Sequence, residues 1–205
     1  MTENERTTCR DIIEPALEAA GWTLDAQVSI GPGRVNLTGD SMYDPSQSLV
    51  ADYVLRFHGL PMAVLEAKAA GHPASDGMQQ ASRYAERLML QYSIATNGAE
   101  WILTDNATGE YETLSAPPSP DEIVDRHGVT IDWDVWGDTF SAGYHVDQVN
   151  RKDVRPYQDT AIAKTLWQFA AGINRVLLLM ATGTGKTFTV FQLVWKLLNG
   201  GALKR

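Results

Sequence analysis

The stretch that most constrains this 205-residue chain is 176–198. Five apolar residues (VLLLM) run into Ala181-Thr182-Gly183-Thr184-Gly185-Lys186-Thr187 and then into a second apolar segment. The pattern predicts a strand over 176–180, a glycine-rich loop, and a helix from Lys186 to about Leu198. A strand apolar on both faces is stable only inside a covered sheet, so the stretch demands an α/β architecture. Backbone N–H groups of Gly183, Thr184 and Gly185, together with the helix N-terminus, suit the phosphates of a nucleotide. Lys186 is placed to neutralise phosphate charge and Thr187 to ligate its Mg²⁺. No further strand follows, so these residues read as part of a longer chain.

Charge divides the sequence. The net charge is −8, but residues 1–150 hold 23 acidic and 8 basic side chains, and residues 151–205 hold 2 acidic and 9 basic. An asymmetry of this size points to two units with different partners. Cys9 is the only cysteine and the four histidines are scattered. An internal disulfide and a Cys- or His-based zinc site are therefore not expected. There is no signal pattern at the N-terminus and no run long enough to span a membrane, which predicts a cytoplasmic protein with no membrane partner. Composition (44% hydrophobic, 20% charged) excludes a wholly disordered chain.

The expected organisation is an α/β domain over 1–115, a linker or unassigned segment over 116–150, and a second unit over 151–205. In the first, helical spacing marks 11–20, with Gly21 as a stop. Strands are expected at 49–57 and 62–69, a helix at 75–91 capped by Ser75 or Asp76, and strands at 92–96 and 100–104 around a tight Asn97-Gly98 turn. In the second, a helix over 157–171 precedes the apolar strand.

A hairpin centred on Gly59 would pair Phe57 with Pro61 and set Asp52 opposite Glu66. Lys68, two residues on, shares their face. Two carboxylates at that spacing suit Mg²⁺, and a neighbouring ammonium can orient an attacking water and stabilise charge on a phosphorus. An ordinary ion pair on an exposed strand face is the plainer reading. Against it, Glu66-Ala67-Lys68 interrupts an apolar run, where charge is costly unless paired or used. On the following helix Gln80 and Tyr84 lie four residues apart and share one face.

At Asp52, Glu66-Ala67-Lys68 and Gln80-x-x-x-Tyr84 the sequence resembles the PD-(D/E)xK nuclease superfamily. More narrowly it resembles the RecB-like branch found at the N-terminus of type I restriction enzyme R (HsdR-like) subunits. Ala20-Gly21-Trp22 and Thr96-Asn97-Gly98 fit the same family, whereas Ala51 stands where the motif's name has proline. The resemblance implies a restriction-endonuclease-like α/β domain that cuts DNA with Mg²⁺ held by Asp52 and Glu66. Lys68 would serve the water, and Gln80 and Tyr84 would support the site or touch DNA. It also implies a helix-1 glutamate as a further ligand, for which Glu14 is the candidate ahead of Glu18. Residues 181–187, which have Met180 where a strict phosphate loop has glycine, resemble motif I of superfamily 2 helicases and translocases. Arg155-Pro156-Tyr157-Gln158 resembles the adenine-reading element of that superfamily, since a glutamine amide can both donate to and accept from adenine.

The implied whole is a nuclease followed by the start of a RecA-like, ATP-binding motor, acting with methylation and specificity subunits on DNA. Another nuclease–motor fusion in defence or repair, and an inactive scaffold that binds DNA or partner subunits, are the alternatives. No Asp-Glu-x-[His/Asp] box follows Lys186, so no significant ATP hydrolysis is expected of these residues alone.

Overall fold

The computed structural model describes residues 2–30, 49–146 and 153–203. Arg151, Lys152, Lys204 and Arg205, counted above in the basic segment, lie outside them. The chain falls into two compact units, Met1–Phe57 with Pro61–Ile123, and His58–Leu60 with Val124–Arg205.

The first unit is built on a six-stranded sheet in the order β1-β2-β3-β4-β5-β6. Its chain begins with α1 (Glu3–Thr8), a π-helical stretch (Cys9–Ile13) and α2 (Glu14–Ala19). The helix starts earlier than the spacing at 11–20 predicts, because Thr2 and Glu5 form a reciprocal capping box that satisfies two orphan N–H groups. β1 (Thr23–Ile30) pairs antiparallel with β2 (Leu49–Phe57), Ala26 against Tyr53 and Val28 against Ala51.

β3 (Leu60–Ala67) begins two residues before the expected strand. The turn is His58-Gly59, with φ of 47° and 76°, the left-handed pair that a two-residue hairpin with native strand twist requires. Phe57 therefore faces Leu60 and not Pro61, the partner expected of a hairpin centred on Gly59. A crossover through α3 (Met78–Leu88) brings β4 (Tyr92–Thr96) parallel to β3, Glu66 beside Ala95. A short 3₁₀ turn (Ala74–Gly77) leads into α3 without a side-chain cap, where Ser75 or Asp76 was expected to serve. β5 (Trp101–Asp105) and β6 (Tyr111–Leu114) complete the sheet antiparallel. Asn97 Oδ1 accepts from the Ala99 and Glu100 N–H groups, which fixes the turn read from Asn97-Gly98. All of β3 is buried, and Val54, Val64, Tyr84, Ala85 and Leu88 share one apolar cluster that seats α3 on the sheet.

The second unit contains α4, which begins in the first (Pro120–Arg126), then α5 (Trp133–Ser141), α6 (Pro156–Ala170) and α7 (Lys186–Asn199). The segment left without a fold by the sequence therefore holds two helices. Gln192, fully buried on α7, exchanges two hydrogen bonds of 2.8 Å with the backbone of His145. Lys196 donates to the Phe140 carbonyl at 2.8 Å and to that of Ala142, covering the open C-terminal end of α5.

The strand expected over 176–180 does not form. Among the described residues no strand pairs with it, and Leu177 and Leu179 are 81% and 83% exposed. A strand without a ladder partner leaves its N–H and C=O groups to water and loses its reason to be regular.

Candidate functional site

β2 and β3 bring Asp52, Glu66 and Lys68 together. Asp52 is 7% and Glu66 3% exposed. The Ala67 N–H donates to Asp52 Oδ2 at 3.0 Å, and Gln27 Nε2 donates to Oδ1 at 3.3 Å, so both oxygens of Asp52 are held. Lys68 Nζ donates to Glu66 Oε1 at 3.0 Å and to Gln80 Oε1 at 3.3 Å, and Gln80 Nε2 donates to the Tyr84 hydroxyl at 2.8 Å. The α3 pair at i, i+4 thus continues the polar chain that starts at Glu66.

Electrostatics follow from burial. Glu66 is pushed up to about 7, first by desolvation and then by the nearby Asp52 charge; the Lys68 hydrogen bond and charge pull the other way. Burial works to lower Lys68, but the Glu66 hydrogen bond and the charges of Glu66 and Asp52 outweigh it and raise its pKa. Glu66 Oε2 is buried without a hydrogen-bond partner. A buried carboxylate oxygen lacking a donor is costly, and a cation beside it removes that cost.

Glu14 takes a different hydrogen-bond partner. The Tyr53 hydroxyl, next to Asp52 along β2, donates to Glu14 Oε1 at 2.7 Å. Burial, and then that bond, raise the Tyr53 pKa. Among the described residues no three His, Cys, Asp or Glu side chains converge on one point. Gln27 was not foreseen, although the signal was there: residues 23–30 (TLDAQVSI) alternate polar and apolar throughout, the pattern of a strand with one buried face, and that strand would have placed Gln27 on the polar face.

In the second unit the loop 181–187 precedes α7 with Gly183 and Gly185 at φ of 79° and 85°. Tyr157 and Gln158, at the start of α6, both donate to the Thr184 carbonyl, at 3.1 and 2.8 Å. Gln158 Oε1 accepts from the Arg155 N–H at 3.0 Å. The buried Gln158 amide therefore lies against the loop, where a Cβ on Gly185 would come within 2.7 Å of Nε2. Lys186 is exposed and donates to the carbonyls of Met180 (2.8 Å) and Ala181 (3.3 Å), while Thr187 is exposed at the start of the helix.

Residues 42–112 match a family model described as the type I restriction enzyme R protein N terminus. Residues 151–205 match one described as the res subunit of type III restriction enzymes. The chain is 37% identical over 205 residues to the type I restriction enzyme EcoAI endonuclease subunit of Escherichia coli, covering 94% of this chain and 25% of that one. A solved fragment assigned as an HsdR subunit of a type I restriction enzyme from Vibrio vulnificus YJ016 superposes with a TM-score of 0.73 at 37% identity. That match covers 98% of this chain and 39% of the fragment. The chain thus spans a quarter of its curated relative, and over that stretch it is similar to the N-terminal, HsdR-like region of type I restriction enzymes.

Proposed function

We propose that this region is the Mg²⁺-dependent nuclease of an ATP-driven, DNA-translocating restriction subunit, joined to the start of its motor. The single observation that carries the reading is the buried Asp52–Glu66 pair with Glu66 Oε2 left bare beside the Lys68 ammonium. That donor set fits a divalent cation, which prefers carboxylate and water oxygens. Asp52 and Glu66 would hold the ion, and Mg²⁺ there supplies an acidified water and neutralises phosphate charge. Lys68, kept protonated by its carboxylate neighbours, orients the water and stabilises charge on the phosphorus from Nζ. Gln80 fixes Lys68, and Tyr84 fixes Gln80.

The nuclease role belongs to about 1–115 and the motor to 151–205, with 116–150 between them. In the motor, Gly183, Thr184, Gly185, Lys186 and Thr187 form the nucleotide loop. Lys186 would exchange the Met180 and Ala181 carbonyls for phosphate oxygens of ATP, whose hydrolysis supplies the energy for translocation. Gln158 supports the loop from below as well as standing at the adenine end. Methylation and specificity subunits would supply target recognition, in the cytoplasm.

The test uses the full-length subunit with its partner subunits, Mg²⁺, ATP and plasmid DNA. Asp52→Ala and Lys68→Ala should each reduce cleavage by at least about 10²–10³-fold, the scale of losing one preorganised charge, while ATP turnover is kept. Lys186→Ala should do the reverse to ATP turnover and leave Mg²⁺ binding at Asp52 intact. Wild-type assemblies that translocate but never cut would reject the nuclease reading in favour of a scaffold.

A further inference from the structure

Among the described residues three non-glycine side chains sit at positive φ: Gln27 at 52°, His58 at 47° and Met89 at 57°. Two have local reasons. His58 makes the β2–β3 turn, and Met89 is the left-handed residue that ends α3. Gln27 lies inside β1 with ladder pairs on either side, Ala26 with Tyr53 and Val28 with Ala51, so it stands across from Asp52 with no turn or helix end to explain its backbone. Glutamine gains nothing from the left-handed region, and backbone strain of this kind persists where surrounding structure uses it.

The side chain shows the use. Gln27 Nε2 donates to Asp52 Oδ1, while the Ala67 N–H takes Oδ2 from the β3 side. One oxygen is held from each neighbouring strand, which fixes the rotation of the carboxylate about its Cβ–Cγ bond. Glu66, whose Oε2 has no hydrogen-bond partner, lies near enough for the Asp52 charge to act on it. Outer groups that donate to a ligating carboxylate in this way set its direction and the affinity of the ion it holds.

We propose that Gln27 is a positioning residue for the cation site: from a strained place in β1 it sets the orientation of Asp52. The inference rests on the reading of Asp52 and Glu66 as the ion's ligands. It is tested by calorimetric titration of the 205-residue chain with Mg²⁺ alone, in wild type, Asp52→Ala, Gln27→Ala and Gln27→Gly. Gln27→Gly removes the amide and relieves the backbone together, which separates positioning from folding.

Wild type should bind Mg²⁺ and Asp52→Ala should not. Gln27→Ala and Gln27→Gly should both weaken binding about tenfold, the low end for an outer partner of a ligand, with the thermal midpoint of Gln27→Gly unchanged or higher. Unchanged affinity in both Gln27 variants, beside loss in Asp52→Ala, overturns this inference alone. So does an affinity loss that only tracks a falling midpoint. A wild-type chain that binds no Mg²⁺ overturns the cation reading and this inference with it.

Discussion

In the β2–β3 hairpin the motif residues lie inside a six-stranded sheet, with Asp52 and Glu66 nearly buried and each held by named partners. Around the phosphate loop the neighbouring apolar residues are in water: Leu177 and Leu179 are 81% and 83% exposed, and Val190, Phe191 and Val194 of α7 are exposed as well. In the sequence the phosphate loop is the plainer of the two motifs. The difference teaches that a motif's clarity and its physical support are separate properties. The carboxylates depend on strands that the same hundred residues provide, whereas the loop is anchored from α6 alone, through Tyr157 and Gln158.

The largest effect expected of this contrast is a pH dependence confined to the hairpin. Glu66 keeps its proton to about pH 7 in the folded state, against 4.5 as the ordinary value. The folded state therefore binds more protons between those values, and stability is full below pH 4.5 and falls as pH rises to 7. Integrated, that is about 3 kcal/mol at most. Urea titrations of the metal-free chain from pH 4.5 to 8 should show this decline, and Glu66→Gln should flatten it. An equal slope in both proteins would place the titration elsewhere.

Next in size is the support of α7. Gln192→Ala leaves the His145 N–H and C=O without their partners, which should lower the stability of the second unit by about 2 kcal/mol. Hydrogen exchange resolved by region is the measurement, and protection in β3 should be unaffected. The smallest effect sharpens the contrast most. Leu179→Ser should change stability by less than about 0.5 kcal/mol, where Leu65→Ala, at a fully buried position in β3, should cost about 3 kcal/mol. A large loss at Leu179 would mean that 176–180 is covered in solution.

What could be read from residues alone follows the same physics. β2, β3, β4, β5 and α3 carry strong apolar patterns, and the Asp52, Glu66 and Lys68 grouping was legible because charge inside an apolar strand needs a reason. The partner of Glu14 was not legible in one dimension, because its bond from the Tyr53 hydroxyl joins residues 39 apart. β1 (TLDAQVSI) was legible by its strict polar/apolar alternation and is missing from the expected strands; only the left-handed backbone of Gln27 lies beyond what propensity anticipates. β6 is a half-exposed edge strand. α5 carries a short stripe, Trp133, Trp136 and Phe140 at i, i+3 and i+7, that was read only as part of an unassigned segment. Its rings hold it, Trp133 against Phe140 at 5.6 Å and against Trp167 at 6.5 Å. Gln158 was recognised as a motif residue, but its bonds under the loop depend on where α6 starts.

The polar chain from Glu66 to Tyr84 also has a direction. An ammonium can only donate, so Lys68 obliges Gln80 to turn its oxygen inward and its nitrogen outward, and the Tyr84 hydroxyl must accept. The phenol keeps its own proton for a different acceptor. A glutamate at position 80 would accept at both ends and draw that proton back toward α3. One glutamine amide thus fixes the sense in which hydrogen bonds run outward from the carboxylates, and the cation at position 68 fixes the glutamine.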